Sequence, residues 1–308
     1  MNPLGFFTAP FPETDLSEVL DLARRWRVDA LEIGCGGYPG THHADARHLM
    51  NAPEEIETFR QQLDDAGIRH RVLSCHCNPL HPDSIQADLA DQTLRQTLHL
   101  AHRLGIRTVV TFSGVGGQGG QFNWPVLGWP TDYSHYWTEV WETQLIPYWQ
   151  GIAALAESLD VRIAIEPHGG FLVHSPGTLL MLREACGPSI GVNLDPSHFW
   201  WQGLDPLAGV RLLGDALHHV HIKDWLADER EQALWGMLDP RPRTPDITPA
   251  WEFAIPGRGH DEGFWQAFIA ACIATGYDGM FSIEHEDPTL DPVTGIERSL
   301  DFIRALTV

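Results

Sequence analysis

Positive charge is scarce in this sequence. Its 308 residues carry 20 Lys and Arg against 41 Asp and Glu, a formal net charge of −21. A phosphate backbone or an anionic membrane surface is gripped by clustered Lys and Arg. The balance therefore argues against nucleic acid and lipid headgroups as partners, and gives the chain a solvated acidic exterior. Cysteine is also sparse. Cys35, Cys75, Cys77, Cys186 and Cys272 are odd in number and form no CxxC pair. The opening MNPLGFFTAPFPE lacks the basic stretch of a secretory leader. The expectation is a cytoplasmic protein with reduced thiols, Cys75 and Cys77 packing at a strand end. Long apolar runs are missing as well. No segment approaches the roughly 20 residues that a membrane helix needs.

What is present is a regular alternation. Short Val/Ile/Leu-rich runs predict strands at Leu4–Phe7, Ala30–Ile33, Arg71–Cys75, Thr108–Phe112, Arg162–Ile165, Ile190–Leu194, Val220–Ile222 and Gly279–Ile283. Most are continuously apolar, as parallel strands buried on both faces should be. Helical spacing fills the intervals at Ser17–Arg27, Pro53–Ala66, Ser84–Leu104, Trp137–Leu159 (bent at Pro147) and Thr294–Leu306. Ser175 and Asp205, each followed by proline, read as helix N-caps, and Asp261 as the cap of Gly263–Thr275. Strict βα order predicts an α/β protein, a (β/α)8 TIM barrel, as one domain over residues 1–308. A doubly wound open sheet is the alternative. Two stretches interrupt the rhythm, at about 113–135 and 225–260, rich in Gly, Trp and Pro. Both follow strands, so both should rise over the barrel mouth as lids or substrate walls.

Four side chains that could hold a divalent cation end four of these strands. They are Glu166 in RIAIEPH, Asp195 in SIGVNLDPSH, His221 in HHVHIKD and Glu284 in GMFSIEHED. Three carboxylates and an imidazole from different strands converge only if the strands are parallel and close around one axis. That is the C-terminal mouth of a barrel, which an open sheet does not reproduce. The donor set suits Mn²⁺, Mg²⁺ or Co²⁺, with Mn²⁺ foremost; Zn²⁺ usually takes more nitrogen or sulfur.

The segments VDALEIGCGGYPG, SCHCNPLHP, IAIEPHGGF, NLDPSHFWWQGLDP, HHVHIKD, GHDEGFW and FSIEHED span nearly the whole chain. Together they resemble the xylose isomerase-like TIM barrels, the sugar phosphate isomerase/epimerase superfamily that also contains endonuclease IV. The resemblance implies Glu166, Asp195, His221 and Glu284 as metal ligands. It also implies that Glu166 and Glu284 flank the substrate and move a proton on and off a carbon beside a carbonyl. The chemistry is coherent, since a cation stabilises the enediolate and a carboxylate on each face can take or return the proton.

Other positions are candidates for substrate contact. The resemblance places His198, in DPSH, on a substrate oxygen; a helix-start hydrogen bond is its other role. Lys223 shares the strand face of His221 and either meets substrate or pairs with a carboxylate ligand. His168 is expected at the mouth. Glu32 and His76 end strands, and either bind sugar hydroxyls or support the structure. Arg258, just before the seventh helix, could hold a hydroxyl or an acidic group. No Gly-rich phosphate loop follows the last two strands, so the substrate should be an unphosphorylated sugar or sugar derivative. Trp124, Trp129, Trp200, Trp201, Trp225, Trp235 and Trp251 lie on or near the mouth loops and either stack on sugar faces or pack the loops.

The leading expectation is a metal-dependent sugar isomerase or epimerase. A lyase is the runner-up. The SGVGGQGG insert, the IPYW helix and GHDEGFW resemble a branch with 3-oxo-glycoside lyases and the larger subunit of C-glycoside deglycosidases. There elimination follows the same deprotonation, His135 is a candidate extra base, and a small partner subunit would be expected. Otherwise the resemblance implies a homo-oligomer. The acidic charge opposes a nuclease, and the presence of both glutamates argues against a barrel that only binds.

Overall fold

The computed structural model describes residues 2–118 and 120–306. Eight strands run in parallel: β1 (Leu4–Phe7), β2 (Ala30–Gly37), β3 (His70–His76), β4 (Thr108–Thr111), β5 (Arg162–Ile165), β6 (Ile190–Leu194), β7 (Leu217–Ile222) and β8 (Phe281–Ile283). They close into a barrel in chain order because β1 pairs with both β2 and β8, through Phe6 with Leu31 and Leu4 with Phe281. The open-sheet alternative is thereby excluded.

β2 outruns its expected end by four residues, reaching Gly37 rather than Ile33. A register shift between Gly34 and Gly37 lets Gly37 pair with His76. Gly37 has φ +70°, and a Cβ there would meet the His76 carbonyl oxygen at 2.2 Å, so only glycine fits.

Helices and loops wrap the barrel, and their apolar faces pack on the outward side chains of the strands. Ser175, Asp205 and Asp261 cap their helices as expected, accepting from the amides of Thr178, Leu207 and Phe264. The helix expected over Trp137–Leu159 begins at Thr131 and passes through a wide π turn, Trp141–Leu145, just before Pro147. Proline has no N–H to donate to Thr143 and its ring crowds that carbonyl, so the preceding turn widens. Short helices at Ala46–Asn51, Ser197–Trp200 and Glu229–Trp235 had no periodic signal.

The second insert folds back on itself. Asp224–Ala227 pairs antiparallel with Trp251–Ala254. Asp224 closes its base, accepting the amides of Gly257, Gly259 and His260 at 3.0–3.1 Å. Within residues 113–130, Gly117–Gln118 and Gln121–Phe122 form a small hairpin. No helix among the described residues is long and apolar enough to cross a membrane.

The barrel interior is graded along its axis. Ala30, Val72, Val110, Ala164 and Met280 form an apolar plug at the base. Side chains alternate along a strand, so two residues further on the same faces carry Glu32, Ser74, Glu166 and Ser282, all buried. Met280, Ser282, Glu284 and Glu286 climb one face of β8 and its exit; His219, His221 and Lys223 climb that of β7. Polarity rises toward the C-terminal mouth, which is where the candidate ligands lie.

Candidate metal centre

Glu166, Asp195, His221 and Glu284 each offer a donor atom within 4.8 Å of one another, and all four are buried. Bonds of about 2.0–2.3 Å around one cation place opposing donors roughly 4–4.6 Å apart. The spacing and the hard donor set therefore fit one divalent cation.

The site is heavily supported. His76 Nε2 donates to Glu166 Oε2 at 2.8 Å and Asn193 Nδ2 to the same atom at 3.1 Å. His198 Nε2 lies 3.0 Å from Glu166 Oε1 and 3.3 Å from Asp195 Oδ2. Burial opposes ionisation of Glu166, but hydrogen bonds from His198 and His76, with His221 nearby, hold its carboxyl well below the usual range. The amide of Ser197 reaches Asp195 Oδ1 at 2.8 Å. Burial likewise opposes ionisation of Asp195, and Lys223 is the largest influence that lowers it.

Lys223 is 1% exposed. Its Nζ lies 2.9 Å from Asp195 Oδ2 and 2.7 Å from both Glu284 Oε2 and Glu286 Oε2. Burial works against its charge, but the three carboxylates hold it ionised, well above the usual lysine range. Of its two expected roles, pairing with a carboxylate ligand is the one these contacts show.

Beneath the tetrad, Glu32 Oε2 accepts from His219 Nε2 and His221 Nε2, both at 2.9 Å, and from Ser282 Oγ at 2.7 Å. His221 Nδ1 is left facing Glu284 Oε2 at 2.9 Å. Phe7 stacks on the His221 ring at 5.7 Å. Glu32 is buried and does not line the cavity above, so of its two expected roles the structural one is what these contacts show, and not a sugar hydroxyl. It braces a candidate ligand, His221, from below.

A cavity of about 220 Å³ opens onto the site, lined by Tyr38, His76, Phe112, Glu166, His168, His198, Lys223, Glu284 and Glu286. His76 reaches this wall but spends both ring nitrogens on Ser74 and Glu166. His198 keeps a buried Nδ1 without a protein partner. His168 packs on His198 with ring centres 4.0 Å apart. Burial, and next the nearby His198, push its pKa down to about 3.

Two further expectations are corrected. Arg258 does not face the cavity; it bonds Asp287 at 2.5 Å and Thr289 Oγ1 at 2.9 Å. It ties the second insert to the loop after β8. His135 lies exposed on the Thr131–Val140 helix and does not line the cavity. No tryptophan lines it either; Trp201 stacks on Trp251 and Trp200 on His260. Glu286, Tyr38 and Asn193 were missed. The period-two repeat Glu284-His-Glu286 signals the first; Tyr38 follows a bulge that no local pattern announces.

The profile of the xylose isomerase-like TIM barrels matches residues 20–306. The chain belongs to this family. It is 34% identical over 307 residues to the uncharacterized protein YfiH of Bacillus subtilis (strain 168), covering 98% of each chain. Among solved structures, an L-ribulose 3-epimerase superposes with a TM-score of 0.67 at 17% identity, over 99% of this chain and 94% of that one. The "probable 3-DHS dehydratase AsbF" of Bacillus anthracis gives 0.66 at 16% identity, over 98% of both. At such identities the structural likeness establishes the fold alone, a (β/α)8 barrel, and the tetrad supplies a place where a metal could be held.

Proposed function

We propose that this protein is a divalent-metal-dependent sugar isomerase or epimerase that moves a proton at a carbon next to a carbonyl. The observation that carries this is one arrangement: four convergent donors, two of which, Glu166 and Glu284, also line the 220 Å³ cavity. Mn²⁺ suits the donors best, with Mg²⁺ or Co²⁺ close. When bound, such a cation polarises the carbonyl and an adjacent hydroxyl.

The chain's own residues do the rest. Glu166 and Glu284 leave strands separated around the barrel by β6 and β7, so they approach a bound sugar from different sides. One takes the proton and the other returns it. The donors on Glu166 keep it ionised, as a base must be, and fix it beside the cavity. Lys223 holds Glu284 in place and offsets the negative charge that proton removal creates. The unpaired Nδ1 of His198 is a contact for a substrate hydroxyl. The name of one structural neighbour, L-ribulose 3-epimerase, accords with this chemistry.

Elimination is the second reading. It needs imidazoles near a leaving group, and the cavity wall supplies His168 and His198 where His135 falls short. Under it, the exposed Phe122, Leu127 and Trp129 would suit a small partner subunit; under the first, a homo-oligomer contact. Light scattering alone and with co-purified proteins distinguishes these.

The test of function is NMR in D₂O. Mg²⁺- or Co²⁺-loaded protein is incubated with ketoses, aldoses and 3-oxo-glucosides, beside an EDTA-treated control. Metal-dependent deuterium uptake with substrate mass conserved is the expected result. A freed aglycone or an unsaturated keto-sugar would replace it with elimination. Silence across the panel, with metal confirmed in the protein, would count against both.

A further inference from the structure

A second cavity, of about 720 Å³, lies against the first. Its apolar wall is Pro245, Ile247, Pro249, Trp251, Phe253 and Pro288, and Glu286 lines both cavities. The Phe253 ring centre is 4.3 Å from Lys223 Nζ and 5.4 Å from the His198 ring. Glu286 and Phe253 thus form the boundary where the two cavities adjoin.

From this adjacency we propose that the natural substrate has two parts. A polyhydroxylated head occupies the tetrad cavity, and a flat, uncharged apolar substituent occupies the groove. The inference rests on the tetrad being the reacting centre. It adds what the substrate must carry.

Three features favour such an occupant. The first is size: the groove holds 720 Å³ against 220 Å³ for the inner cavity, more than a sugar ring alone would use. The second is a wall built before binding. Trp251 and Phe253 sit on the antiparallel ribbon, paired with Ala227 and Trp225. Trp251 also stacks on Trp201 at 5.5 Å and 7°, and its Nε1 donates to the Met237 carbonyl at 2.8 Å. Little ordering is left to lose when a ligand arrives. The third is charge. Glu252 and Glu286 line the groove, while the Arg243 guanidinium is engaged over the Trp251 ring at 4.3 Å. An anionic substituent would meet carboxylates; a neutral aromatic ring meets proline, isoleucine and ring edges.

Calorimetry on the Mg²⁺-loaded protein compares methyl and phenyl glycosides of a panel of pyranoses. At least one phenyl glycoside should bind tenfold or more tightly than its methyl counterpart. Ile247→Glu, on the exposed loop and away from the tetrad, should erase that gain. It should leave metal content, thermal unfolding and methyl glycoside binding as they were. If no phenyl glycoside outbinds its methyl partner, or if the gain survives both Ile247→Glu and Pro288→Glu, the proposal is overturned. Deuterium exchange keeps the two readings separate. Exchange on free sugars without a phenyl preference defeats the groove alone. A phenyl preference abolished by Ile247→Glu, with no exchange or elimination on any substrate, supports the groove and defeats the reading of the tetrad.

Discussion

Glu32 Oε2 lies 2.9 Å from His221 Nε2, on the side of the ring away from the tetrad. A carboxylate behind a ligating histidine fixes which nitrogen carries the proton and how the ring is aimed. Here it places the proton on Nε2 and leaves Nδ1 for a cation. Glu32→Gln should therefore weaken metal binding by about 10–100-fold, read by competition with a chromophoric chelator. Unchanged affinity in a folded variant would show that the ring is aimed by Phe7 and Asn193 instead.

Glu284→Gln keeps an oxygen for the cation but cannot accept a proton. Deuterium exchange should fall by about 10²–10⁴-fold, with metal still bound at raised concentration. Activity surviving that change would remove Glu284 from proton transfer.

Lys223 is the cation that the carboxylates share in the polypeptide itself. In EDTA, Lys223→Met leaves buried negative charges facing one another and should cost about 3–5 kcal/mol, seen as a lowered denaturant midpoint. Added Mn²⁺ should recover more stability in this variant than in the parent. Equal midpoints in EDTA would mean that Lys223 contributes nothing to holding the ligands together.

His218 lies outside the site, with Nδ1 at 3.0 Å from the Ile163 carbonyl. Burial pushes its pKa from 6.5 down to about 4. The unfolded chain gains this proton near pH 6.5 and the folded chain only near pH 4. The sign follows: stability is intact above pH 6.5 and is lost as pH falls between these values, by up to about 3 kcal/mol. His218→Gln should flatten that part of the profile in denaturant titrations at stepped pH. A slope equal to the parent's would assign the loss elsewhere.

The barrel and its four convergent donors are legible because the signal is local. Each of Glu166, Asp195 and Glu284 directly follows an apolar strand, and His221 is the penultimate residue of one. The depth of Glu32 is hidden in the sequence because the visible apolar run stops at Ile33 while β2 continues to Gly37. What looked like a strand end is a strand middle, one layer below the mouth. Arg258 was misread because its partner, Asp287, is 29 residues away, a separation at which charge pairing leaves no pattern. His135 falls short of the mouth because the helix starts at Thr131, a turn and more before the first apolar repeat, and carries it exposed.

The second insert leaves and re-enters the barrel at one carboxylate. Asp224 follows Lys223, and accepts amides from Gly257, Gly259 and His260 at the far end of the excursion. The chain between is a cassette clipped shut at its neck. Changing its length adds little to the entropy of closing it and leaves Lys223 where it is. Rewriting the cassette therefore alters the wall formed by Trp251 and Phe253, while the four donors beneath keep their places.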